Sequence, residues 1–203
     1  MNRRDTVLAL LALGAAPFAA EAQRAAKVAR IGYLSPSLAS SPHLRDAFLQ
    51  GLRDVGYVEG RNVVIEYRDA EGKLERVPAL AAELVALKVD VIFVGGGTRV
   101  TLAAMQATRT IPIVFTGVGD PVESGLVTSL ARPGSNVTGL SSLGPELVGK
   151  RLELLKQAVP GVDRVAVLWL PGALGERTDK DMLTGADVAA RALGVRLQFV
   201  EAR

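Results

Sequence analysis

Cysteine is absent from this 203-residue chain, so disulfides, thiolate catalysis and cysteine-ligated zinc are excluded. Histidine occurs once, at His43 beside Pro42, a position that suits the first turn of a helix. Any His-based triad would rest on that residue alone. Aromatics make up 4% of the chain, so the core must come from Ala, Val, Leu and Ile. No G-x-x-x-x-G-K-[ST] phosphate loop and no G-x-S-x-G nucleophile elbow occurs. Gly95-x-Gly97 and Gly117-x-Gly119 are followed by Val100 and Val122, where a dinucleotide fingerprint requires Gly or Ala. The net charge is +3, but the basic residues are scattered among acids (Arg45/Asp46, Arg53/Asp54, Arg68/Asp69) rather than clustered. They read as solvated helix faces, and no nucleic-acid partner is expected. No cofactor, metal or catalytic residue is expected either.

The N-terminus carries an export signal. Arg3 and Arg4 precede an apolar run from Thr6 to Ala20, and Ala20-Glu21-Ala22 has the small-x-small form of a signal-peptidase site. Residues 1–22 are therefore expected to be a signal peptide, cleaved by signal peptidase, and the mature protein to be periplasmic. The Arg pair hints at the twin-arginine route, with Sec as the other path. The run is too short to span a bilayer comfortably, since a spanning helix needs about 20 apolar residues.

From Val28 onward, short β-branched runs alternate with amphipathic stretches, the pattern of an α/β, doubly wound parallel sheet. Strands are expected at Ala29–Leu34, Val63–Tyr67, Val89–Val94, Ile113–Thr116 and Val137–Leu140. Helices are expected at His43–Val55, Leu74–Leu87 and from an N-cap at Thr98 to about Thr108. The cycle then restarts, with helices at Pro145–Ala158 and Thr178–Leu193 and strands at Arg164–Leu170 and Arg196–Val200. This divides the chain into a complete first lobe, 28–141, and a partial second lobe, 142–203. The second sheet would have an unprotected edge and an incomplete core.

In an open parallel sheet, ligands lie beyond the carboxyl ends of the strands. The loops at that edge are Ser35-Pro36-Ser37, the loop from Tyr67 to Gly72, Gly95-Gly96-Gly97-Thr98, and Gly117-Val118-Gly119-Asp120-Pro121. Glycine admits close backbone approach, and a helix N-terminus near Thr98 offers N–H groups to an anion. Asp120 can accept from an ammonium or hydroxyl. Each feature also has a structural reading: a tight turn at the glycines, a turn initiator at Asp120-Pro121, a cap at Ser35 and Ser37. Asn136-Val137-Thr138 matches a glycosylation sequon by chance.

Several stretches together resemble the ABC transporter substrate-binding proteins of the type I periplasmic-binding fold, in the branch of tryptophan- and tyrosine-binding TrpX-like proteins. They are Ile31-Gly32-Tyr33-Leu34-Ser35, Phe48-x-x-Gly51-Leu52 with Gly56-Tyr57-Val58-Glu59-Gly60-x-Asn62-Val63, and Ile111-Pro112-Ile113-Val114-Phe115. Glu66-Tyr67-Arg68, Pro78-Ala79-Leu80-Ala81-Ala82-Glu83-Leu84, Gly119-Asp120-Pro121-Val122 with Gly125-Leu126-Val127, Arg132-Pro133-Gly134-x-Asn136-Val137-Thr138-Gly139 and Lys150-Arg151-Leu152-Glu153-Leu154-Leu155 complete the set. The resemblance implies a two-lobed protein that closes on a small solute, such as an aromatic amino acid, and delivers it to the permease subunits of an ABC importer. It places ligand contacts on Ser35, Gly96, Gly97, Thr98, Gly119, Asp120, Pro121 and Ser141, the last in the first crossover between lobes. The sequence departs from the family at Leu170-Pro171-Gly172, which lacks the usual Asn, and in length, so that a C-terminally truncated member is expected. A truncated remnant without a working cleft and a flavodoxin- or Rossmann-like enzyme remain as alternative readings, whereas a ligand-sensing regulator would need an N-terminal helix-turn-helix that the residues before Val28 cannot supply.

Overall fold

A computed structural model describes residues 28–142, 144, 147–172 and 176–202. The proposed signal segment, 1–22, lies outside the described residues. The chain runs β1 (Ala29–Ser35), α1 (Pro42–Asp54), β2 (Val63–Asp69), a 3₁₀ turn (Leu74–Arg76), α2 (Val77–Ala86), β3 (Val91–Val94), α3 (Gly97–Ala107), β4 (Ile113–Val118) and β5 (Val137–Ser141). It continues through α4 (Val148–Ala158), β6 (Arg164–Trp169), α5 (Glu176–Leu193) and β7 (Arg196–Glu201).

The first five strands form one sheet in the order β2-β1-β3-β4-β5, every pair parallel. Their carboxyl ends therefore share one edge. On one face, Leu34, Ile92, Val94, Ile113, Phe115 and Val137 point into a core closed by α2 and α3. Gly32 makes room for that packing, because a Cβ there would lie 2.9 Å from a Leu84 methyl carbon. Leu84 is fully buried. Truncating it to Ala would cost about 2–5 kcal/mol.

The opposite face holds four of the chain's nine aromatics. Tyr33 packs edge-on against Phe48 of α1 with ring centroids 5.2 Å apart, and Phe93 lies 4.4 Å from Phe48 and 4.9 Å from Tyr33. Tyr67 completes the group, 5.6 Å from Tyr33. The odd positions of β1 thus meet α1, while the even ones meet α2 and α3, so the sheet carries helices on both faces. α1 lies more loosely than the others and has no buried residue.

β6 and β7 form a separate parallel pair. α4 and α5 cover one face through Leu152 and Ala190, joined by Val195 of the connection to β7, with Val165 and Leu197 packed against them. Leu168 and Val200 lie on the other face and are exposed.

Local details differ from the sequence expectation in several places, among them the strand expected from Val89, which begins at Val91. The helix expected from Leu74 opens as a 3₁₀ turn and becomes α-helical at Val77, with Pro78 in its first turn, where a missing N–H costs nothing. The helix after β3 begins at Gly97, with Gly96 at the N-cap, so Thr98 is the second residue of the helix rather than its cap. The fourth helix begins at Val148, and Pro145 lies outside the described residues. Among the described residues no helix is long and apolar enough to cross a membrane.

Candidate functional site

The loops at the shared sheet edge are bound to one another. Ala70 N–H donates to the Ser35 carbonyl at 3.0 Å and Gly72 N–H to the Pro36 carbonyl at 2.7 Å. Asp69 joins them from its side chain, accepting from Leu38 N–H at 3.2 Å and from Glu71 N–H at 2.8 Å. Asp69 was not among the expected site residues. Its only sequence signal is its place at the strand end before the turn at Gly72. Ser35 is buried, and its Oγ accepts from Ser37 N–H at 3.2 Å, the turn-stabilising role open to it from sequence. Behind this loop pair is a cavity of about 300 Å³ lined by Tyr33, Ser35, Ser37, Ser41, Leu44 and Gly95.

The glycine run after β3 is a packing device as well as a candidate ligand loop. A Cβ on Gly96 would lie 2.6 Å from Pro36 Cδ and 2.8 Å from Val100 Cγ2. Gly97 takes φ +71°, a left-handed conformation that favours glycine. Thr98 follows, 1% exposed, and its Oγ1 is buried without a hydrogen-bond partner. A buried hydroxyl left in this way is uncommon and costly. It belongs to the first turn of α3, where backbone N–H groups lack helical partners.

Asp120 is half-buried between two buried residues, Gly119 and Pro121. Its Oδ1 accepts from Val122 N–H at 3.0 Å and Glu123 N–H at 2.9 Å, so it starts the turn that follows. The same residue lines a second cavity, of about 380 Å³, which opens between this loop and the α4–α5 pair. Glu123, Thr178, Asp181, Met182 and Val148 complete most of its wall. Ser141 ends β5 opposite Val118 and is exposed. The structure thus puts Ser35 and Asp120 in two different hollows of one sheet edge, and Gly96, Gly97 and Thr98 at the end of β3, which the sheet order places between them. Among the described residues no group of three or more His, Asp or Glu side chains is placed to hold a metal.

The family model for ABC transporter substrate binding proteins matches residues 36–192. The chain belongs to this family. A tyrosine-binding protein of Clostridioides difficile is 34% identical over 139 residues, which cover 68% of this chain and 39% of the relative. Among solved structures, a conserved domain protein from Vibrio cholerae superposes with TM-score 0.77 at 34% identity, covering 87% of this chain and 58% of that one. An ABC domain from Streptococcus pneumonia in complex with L-Trp gives TM-score 0.75 at 26% identity, covering 86% and 57%. The chain thus spans less than two thirds of the length of each of these relatives. The parallel α/β sheet is that of the type I periplasmic-binding fold.

Several residues that carry the family pattern shape the backbone. Asn62 accepts from Val58 N–H at 2.7 Å and donates to the Gly56 carbonyl at 2.8 Å, fixing the turn before β2. Asn136, the sequon residue, donates to the Ile111 carbonyl at 2.7 Å and ties the start of β5 to the start of β4. Thr128 Oγ1 donates to the Arg132 carbonyl at 2.9 Å and closes the loop that carries Arg132-Pro133-Gly134.

Proposed function

We propose that this chain is the ligand-binding portion of a periplasmic solute-binding protein serving an ABC importer, and that its solute is a small amino acid-like molecule. Two lobes, 28–141 and 142–203, hold the solute between them, the second lobe being continued in longer relatives. The observation that carries the reading is the cavity between the Asp120 loop and the α4–α5 pair. It lies at the carboxyl ends of parallel strands, where open α/β sheets bind ligands, and its volume is in the range of about 300–1,000 Å³ common for small-molecule sites.

The chemistry of the edge favours a zwitterion. Asp120 accepts from an ammonium through the oxygen not used in its turn. The first turn of α3, with Thr98, supplies N–H and hydroxyl groups to a carboxylate. Gly96, Gly97, Gly119 and Pro121 hold these loops in shape, Ser35 braces the neighbouring loop and Ser141 leads into the crossover. Relatives that bind tyrosine and L-Trp support an aromatic amino acid as the solute. Export through the signal peptide at 1–22, cleavage by signal peptidase and delivery to membrane permease subunits follow from the same reading, which involves no catalysis.

Thermal unfolding of the purified protein against a panel of amino acids and small carboxylates tests this. A ligand present at 100 times its Kd stabilises a folded protein by about 2.7 kcal/mol. A clear rise in Tm with tyrosine, tryptophan or a close analogue supports the reading. A folded protein whose Tm no panel member raises rejects it.

A further inference from the structure

Arg99 stands in the first turn of α3, directly after Thr98, and is exposed. This is the wrong end of a helix for a cation, because the N-terminal turn carries the positive pole of the helix dipole. Its side chain instead reaches the other unit of the chain. The Arg99 Cδ lies 3.6 Å, and a guanidinium nitrogen 3.8 Å, from the position a Cβ on Gly172 would occupy. Gly172 belongs to the turn after β6 and takes φ +76°, and its N–H donates to Asp179 Oδ2 at 2.6 Å. Asp179 is buried in the first turns of α5. The guanidinium and this carboxylate therefore meet the same glycine. A second contact bridges the same two units, where the hydroxyl oxygens of Ser124 and Thr178 lie 3.5 Å apart.

We propose that Arg99 is a latch that holds the β6–α5 turn against the first sheet, with Gly172 as its seat. Glycine suits the seat through its left-handed backbone, φ +76°, a conformation that L side chains rarely adopt. Arg99 follows Thr98 in the chain, so a solute engaging the first turn of α3 would act one residue from the latch. The latch itself requires no solute, and its failure would leave the solute-binding reading untouched.

The absence of cysteine permits a clean test. In the full chain, Ser124→Cys/Thr178→Cys introduces one thiol pair across the units, and its effective concentration is measured in a glutathione redox buffer without added solute. The pair should form an intramolecular disulfide. Arg99→Ala and Arg99→Gln, the second too short to reach the seat, should each lower the effective concentration about threefold or more. Gln106→Ala, exposed at the far end of the same helix, should leave it unchanged. Circular dichroism melts establish that each variant is folded. An unchanged effective concentration in folded Arg99→Ala or Arg99→Gln overturns the latch, as does failure of the parent pair to form a disulfide.

Discussion

Gly139 of β5 passes so close to Phe115 of β4 that a Cβ on the glycine would sit 2.2 Å from the Phe115 carbonyl oxygen and 2.6 Å from its ring. The two strands change register just beyond, between Phe115 and Val118, and Gly117 takes φ +74° there. The close approach and the bulge together aim the end of β4 into the Gly119-Asp120-Pro121 loop.

Gly139→Ala should therefore push β5 away from β4. Overpacking of this kind costs about 1–3 kcal/mol. Denaturant unfolding should show a lower midpoint with an unchanged slope. Gly51→Ala, on the exposed side of α1 where a Cβ meets nothing within 4 Å, should leave stability unchanged or raise it.

Asp120 has one oxygen in its own turn and the proposed second role toward solute. Asp120→Ala should lower stability by about 0.5–2 kcal/mol, the usual cost of losing such a cap. Asp120→Asn keeps an acceptor at the same place, so its unfolding midpoint should stay near that of the parent while its affinity for an ammonium-bearing solute falls. Comparing melts with titrations for the two variants separates the roles.

The Asp69 carboxylate joins the loop after β1 to the loop after β2. Asp69→Ala strips acceptors from two backbone N–H groups; the part-buried Leu38 N–H, left unsatisfied, costs about 1–3 kcal/mol, whereas water replaces the acceptor at the exposed Glu71 N–H. Hydrogen exchange should then speed up at Leu38 and Glu71 first, while amides of β3 and β4 keep their protection.

Burial first, and then the neighbouring Glu59 carboxylate, push the Tyr67 phenol up to about 12 from its ordinary 10.0. Its hydroxyl donates to Glu59 at 3.3 Å. A phenol with a raised folded pKa contributes stability that is whole below pH 10 and is lost as the pH climbs from 10 toward about 12. The difference in tyrosinate ultraviolet absorbance between the parent and Tyr67→Phe should place this titration near pH 12, and the two unfolding midpoints should converge as pH rises through that window.

The order of elements was legible in the sequence because strands that carry apolar residues on both faces, such as Val91–Val94, read as short apolar runs between helical patterns. Boundaries were less so. The helix starts at Gly97 rather than at a Thr98 cap where Pro36, remote in sequence, packs closely around Gly96. The candidate loops were legible as strand ends, and the parallel sheet does put them on one edge. Their division between two cavities was not, because it is set by where the α4–α5 pair stands against the Asp120 loop. The bracing role of Asp69 was not legible for a similar reason, since its partners belong to two different loops.

Isothermal titration of L-tyrosine and L-tryptophan into the purified chain tests the central claim most directly. The account predicts saturable heat for at least one of them, with one site per chain, a Kd at or below roughly 10 μM, and a loss of affinity in Asp120→Asn. A folded protein that gives no saturable heat with either amino acid, or one whose affinity is unchanged in Asp120→Asn, would contradict it.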